Sequence, residues 1–139
     1  MAKSIKNIWK AVSIAVIISA IVAVGSIQAA TISSVTHIPT SLKTSAASNH
    51  TLSFTTPAGV SEGSTITVTF DSSFDTSSIV ENDIDITDDG VDISTASDCT
   101  GSERASVAIA SDVITFTICV GDGGAIAVAS AVVIEIGSN

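Results

Sequence analysis

The sequence predicts an all-β domain, a two-sheet antiparallel sandwich of about seven or eight short strands, behind a hydrophobic N-terminal leader. Three observations predict it. After Ala30 the chain is dominated by Thr, Ser, Val, Ile, Ala, Asp and Gly, and Thr, Val and Ile suit the pleated, half-buried surface of a sheet. Apolar and polar residues alternate with period two over short runs, and no run after Ala30 carries a helical stripe over two turns. Clusters of Gly, Asp and Pro separate these runs at intervals of about ten residues.

The leader comes first. Lys3, Lys6 and Lys10 make residues 1–10 basic, and Ala11–Val24 is an uncharged apolar run of signal-peptide length. Gly25 and Ser26 break the run, and Ala29 and Ala30 offer small residues for cleavage. Residues 1–30 are therefore expected to be a signal peptide or, if uncleaved, an N-terminal membrane anchor helix. Residues 11–30 are then the only part to touch a membrane, at about the minimum length for a span. In both cases the lysines stay inside and the rest of the chain is exported. The expected location is secreted or at the cell surface.

The exported part, residues 31–139, holds two bases (Lys43 and Arg104) and all fourteen acids of the chain. The whole chain carries a formal charge of −9, which argues against a nucleic-acid partner. Four Phe, one Trp and no Tyr leave little aromatic surface for stacking bases or sugars. A domain of about 110 residues buries roughly two thirds of its unfolded surface, enough for one core.

The strands follow in chain order. Thr65–Phe70 places Ile66, Val68 and Phe70 on one face and three Thr on the other. Val80–Thr87 sets Ile84 and Ile86 against Asp83, Asp85 and Thr87. Asp88-Asp89-Gly90 then reads as a hairpin turn, because Gly takes positive φ freely and Asp tolerates it. Ser111-Asp112 is expected to join Ala105–Ala110 to Val113–Val120 through a two-residue turn. In that register Ile109 opposes Ile114 and Val107 opposes Phe116, so the apolar faces agree. Val113–Val120 puts Ile114, Phe116, Ile118 and Val120 on the core face and Cys119 opposite. Pro57-Ala58-Gly59, Glu62-Gly63 and Gly121–Gly124 are loops. Val132–Ile136 closes the chain with Val132, Ile134 and Ile136 on one face. The expected core is Ile66, Val68, Phe70, Ile84, Ile86, Val107, Ile109, Ile114, Phe116, Ile118 and Ile134.

The stretch Asn49–Phe74 (NHTLSFTTPAGVSEGSTITVTFDSSF), followed by the acidic hairpin Asn82–Asp92, resembles immunoglobulin-like sandwich modules of secreted and surface-attached microbial proteins. The carrying phrase is Pro-x-Gly, then Gly-x-x-Ile-x-Val-x-Phe. The resemblance implies an immunoglobulin-like topology and a role in adhesion, spacing or a surface layer. It brings no catalytic residues. Such modules usually carry a further strand after the position of Ile136, so the domain is expected to lack its last strand. The Cys–Trp–Cys pattern of antibody domains is absent, since Trp9 is in the leader.

Few residues suggest chemistry. Cys99 and Cys119 are the two cysteines, and in an exported domain two cysteines usually pair. Zinc lacks a second pair of ligands at suitable spacing. Asp83, Asp85, Asp88, Asp89 and Asp92 could offer oxygens to a loose calcium site, the one cofactor the sequence suggests. A helix–loop–helix calcium loop does not fit, because Ala96 stands where a bidentate Glu is needed. The plainer reading is a solvated strand face and a turn, with charges that discourage edge-to-edge aggregation. His37 and His50 are the two histidines, but no Gly-x-Ser-x-Gly elbow accompanies them. They read as ordinary loop or strand-end residues. Asn49-His50-Thr51 is a glycosylation sequon, which marks Asn49 as a surface-loop position.

The function expected is therefore non-enzymatic: an extracellular structural or adhesion module whose partners are other copies or neighbouring domains of a surface protein. The alternative is a pilus-like filament subunit, in which residues 31–38 of one copy add as a strand to the next.

Overall fold

Strands form where the alternating runs lie. The computed structural model describes residues 31–43 and 46–137. The expected leader, with its cleavage site or anchor, lies outside the described residues. Among the described residues no helix is long and apolar enough to cross a membrane.

Nine strands are present among the described residues: β1 (Ser33–Pro39), β2 (His50–Thr56), β3 (Thr65–Thr69), β4 (Ile84–Asp88), β5 (Val91–Asp92), β6 (Thr95–Ala96), β7 (Ala105–Ala110), β8 (Val113–Ile118) and β9 (Ser130–Ile136). They make two sheets, ordered β1-β2-β9-β4-β5 and β3-β8-β7-β6. Every pairing is antiparallel except β6 with β7, a short parallel contact of Thr95 with Ala105 and Ala96 with Ser106. That contact departs from the all-antiparallel expectation. It arises because the connection carrying Cys99 loops out and returns to run alongside β6 in the same direction.

The two sheets share one core. From the first come Phe54, Ile84, Ile86, Val132, Ile134 and Ile136. From the second come Ala105, Val107, Ile114, Phe116 and Ile118, with Ile93, Val60 and Ile126 closing the ends. Phe116, Ile114, Ile86 and Ile134 are fully enclosed. Ile66, Val68, Phe70 and Ile109 pack against this core but are only partly buried, because β3 lies at a sheet edge and Ile109 near the end of β7. The register between β7 and β8 is the expected one, with Ile109 opposite Ile114 and Val107 opposite Phe116.

Three strand boundaries move. Val80–Thr87 does not run as one strand: Glu81–Asp83 is a single 3₁₀ turn, and β4 begins at Ile84. The Asp83 carboxylate accepts the Val80 N–H at 3.0 Å, which closes the turn as a cap would. The third strand stops at Thr69, one residue before Phe70. The strand expected to reach Val120 stops at Ile118, and Val120 is 76% exposed. Beyond Ile118 the chain turns, with Gly121 at φ +92°, so the alternation no longer points residue 120 at the core. Cys119 is buried, contrary to the outward position that alternation assigns it.

The hairpin between β4 and β5 turns on Asp89 and Gly90, at φ +49° and +79°. Such a turn matches the right-handed twist of the strands it joins. Gly59, at φ +71°, must be glycine for a second reason: a Cβ there would lie 2.6 Å from the Ile126 carbonyl oxygen.

The last strand, β9, lies inside its sheet and pairs along its length with β2 on one side and β4 on the other. The long free edge of this sheet is β1 at its other end.

Candidate functional site

The acidic stretch is distributed along β4 and its flanks. Asp83 and Asp89 flank the strand at opposite ends, roughly 15–20 Å apart for five extended residues. Asp88 stands opposite Val132 on the inner face, whereas Asp85 stands opposite Glu135 on the outer face. Asp92 pairs with Thr87, also on the outer face. Among the described residues no group of three or more His, Cys, Asp or Glu side chains is placed to hold a metal ion.

Three of these carboxylates, those of Asp83, Asp85 and Asp89, have other partners. Asp89 accepts the Ala131 N–H at 2.9 Å and the Ser130 hydroxyl at 3.2 Å, so it fastens the β4–β5 turn to the start of β9. Asp85 accepts the N–H of Ile86 at 2.9 Å. Asp88 Oδ1 is buried without a hydrogen-bond partner. Elsewhere Glu62 receives the N–H groups of Gly121 and Gly123, at 2.8 and 3.1 Å, and ties two loops together.

Three aspartates repeat one device. Asp71, Asp75 and Asp98 each accept a hydroxyl at 2.6 Å, from Ser73, Ser77 and Thr100 respectively. Each also accepts the backbone N–H of that same residue. The hydroxyl bond first, and the backbone bond second, hold each carboxyl below its ordinary range. These are Asx turns, in which a side chain supplies the acceptor that a loop backbone lacks.

Cys99 and Cys119 form a disulfide, with Cα atoms 5.4 Å apart and a sequence separation of 20. The bridge fastens the loop after β6 to the end of β8. The Cys119 N–H also donates to the Arg104 carbonyl at 2.9 Å. A structural bridge of this kind fits an oxidising, extracellular compartment.

The two histidines, thirteen positions apart in sequence, come together. His37 on β1 stands opposite Leu52, and His50 on β2 stands opposite Pro39. Both side chains therefore share the inner face of the sheet. His37 Nε2 and His50 Nδ1 share a hydrogen bond of 2.7 Å, one ring nitrogen donating to the other. His50 is buried and meets the edges of Phe70 and Phe74, with centroids 5.3 and 5.9 Å away. Burial first, and the neighbouring His37 second, lower the His50 pKa below its ordinary value. The two rings form one wall of an open cleft of about 1300 Å³, shared with Leu42, Phe70, Phe74 and Ile79. Lys43, Asp75 and Asp83 are its charged lining groups. Asn49 is exposed at its rim, as expected of the sequon position.

Reading along the chain missed this pair. Only half of a signal was present: His50 opens an alternating run, but the apolar residues around His37 (Ile32, Val35 and Ile38) do not alternate, and the connection between them, residues 40–49, is too long to read as a hairpin turn. The register of β1 with β2 is what puts one ring beside the other.

No protein family, curated protein or solved structure matches the chain.

Proposed function

We propose that this chain is a non-enzymatic, exported structural or adhesion module with an immunoglobulin-like sandwich. The observation that carries the reading is how its polar groups are used. Glu62, Asp71, Asp75, Asp83 and Asp98 each accept a backbone N–H of a loop or turn, and Asp89 ties its turn to the N–H of Ala131 in β9. These carboxylates hold a rigid scaffold. The Cys99–Cys119 bridge supports the same reading, as does the apolar run ahead of the domain.

The test is the intact mass of the native protein from its source cells, with and without reduction. A surface fraction whose mass starts near residue 31 and gains two hydrogens on reduction supports the proposal. A reduced protein confined to the cell interior overturns it.

The filament-subunit reading has one observation in its favour: all of β1 is exposed except the half-buried Pro39. In that reading β1 is the segment that travels between copies.

A further inference from the structure

We propose that β1 is an exchangeable strand, and that the edge of β2 which it covers accepts the β1 of a second copy of this chain. The proposal rests on the filament-subunit reading only for the idea that copies meet through this segment. It adds the slot, the register and the contact that closes it.

Four features of β1 carry the argument. First, it is held through β2 alone and adds nothing to the core. None of its residues belongs to the core cluster, and Val35 and Ile38 are 56% and 64% exposed. Second, its own pairing is imperfect. The register slips between Ser33 and Thr36, around Ser34 at φ +53°, a conformation costly for a serine. Third, it is the long edge of its sheet, since the opposite edge strand, β5, has two residues. Fourth, neither β1 nor β2 carries an Asp, Glu, Lys or Arg. In a chain of net charge −9, this is a place where two copies can meet without like charges in contact.

The occupant follows from the slot. With β1 withdrawn, β2 presents an unpaired backbone edge beside half-buried Leu52, and an open edge recruits a strand. The segment seen to fit is Ser33–Pro39 itself, with His37 reaching His50 and Pro39 seated opposite it. Every copy carries that segment. A strand from a second copy remakes the same backbone pairs and the same histidine contact. The exchange therefore costs little enthalpy and is driven by concentration. Reciprocal exchange closes a dimer, and sequential exchange builds a fibre.

Positions 36 and 53 give the test, because Thr36 and Ser53 stand directly opposite each other on the outer face. Opposed residues in an antiparallel pair lie within disulfide reach. Full chains carrying T36C alone and S53C alone, each with the Cys99–Cys119 bridge intact, are mixed at high concentration and oxidised. Peptide mapping then locates the new bridge. The control partner for T36C is T67C, on the exposed face of β3 in the other sheet. The proposal expects an interchain 36–53 bridge at about ten-fold or more the yield of 36–67. Equal yields overturn it. The double variant T36C/S53C should close within one chain at low concentration and then refuse to assemble. Failure to close overturns the register on which the proposal stands. Particle size separates this inference from the filament reading. Linked closed dimers support exchange and end the filament reading. Fibres without the 36–53 bridge overturn exchange and leave the filament reading standing.

Discussion

Replacing Asp89 by Ala should cost this domain about 1.5–3 kcal/mol. Asp89 is the first residue of the two-residue turn between β4 and β5, at φ +49°. Its carboxylate holds the Ala131 N–H at 2.9 Å and the Ser130 hydroxyl at 3.2 Å. Hydrogen bonds to a charged acceptor contribute about 1.5–3 kcal/mol each when buried. The Ala131 contact is exposed and water can replace it, so the two together are worth about 1–2 kcal/mol. Alanine also tolerates positive φ less well than Asp, a further cost of about 0.5–1 kcal/mol. The Asp89 N–H to the Ala131 carbonyl, at 2.9 Å, survives the change. Two companion variants separate the terms. Asp89→Asn keeps an acceptor and tolerance of the turn, and should cost under about 1 kcal/mol. Asp89→Gly keeps the turn but loses the acceptor, and should fall between the two. Urea unfolding followed by far-ultraviolet circular dichroism measures all three, and the Ala variant should melt roughly 10 °C below the parent. Adding millimolar calcium should leave the parent's midpoint unchanged, because Asp89 is engaged in the turn. If Asn costs as much as Ala, or if Ala costs less than about 0.5 kcal/mol, the carboxylate clamp is not what holds this turn.

Four other outcomes are expected. Burial holds His50 neutral, so its contribution is fully present above the unfolded pKa of about 6.5 and is lost as pH falls below it. Stability measured from pH 8 to 5 should hold down to about pH 6.5 and decline below it, and His50→Gln should flatten the decline; the other charged groups on this cleft are Lys43, Asp75 and Asp83. Replacing Cys99 and Cys119 together by Ala should cost about 3 kcal/mol in the chain-entropy picture for a loop of this size, read as a shift in urea midpoint with secondary structure retained. Phe116→Ala, at a fully buried position, should cost about 3–5 kcal/mol, and a calorimetric loss below 1 kcal/mol would contradict the packing described. Gly59→Ala should destabilise by more than the roughly 1 kcal/mol of positive φ alone, because the new Cβ meets the Ile126 carbonyl oxygen at 2.6 Å; hydrogen exchange at Val60 should rise with it.

Local chemistry was legible in the sequence. Period-two alternation marked Thr65–Phe70 and Val113–Val120, which overrun β3 and β8 by one and two residues, and the Ser111-Asp112 turn gave Ala105–Ala110 and its register with β8. A two-residue loop leaves the pleat almost no freedom, so sequence neighbours decide such a pairing. The Asp89-Gly90 turn was readable for the same reason. The pairing of Cys99 with Cys119 needed only a count of two cysteines and the expectation that the domain is exported.

Other features depended on residues far apart in the chain. Val60 and Ile126 meet through an isolated bridge that no alternation announces. Ile93 joins the core from a stretch too short to show a period. The acidic run looked like one feature along the chain, yet it divides between two sheet faces and the two ends of β4, because successive side chains of a strand point opposite ways.

The sequence by itself determined the strand-forming runs, the local turns and the pairing of the two cysteines. Those depend on dihedral preference, alternation and cysteine chemistry, which act over a few residues. Only the tertiary structure decided that β9 lies between β2 and β4, that β1 is left exposed at an edge, and that His37 reaches His50. Strand order is set by burying both inner faces at once. That is a property of the whole chain, and no short window of it carries the answer.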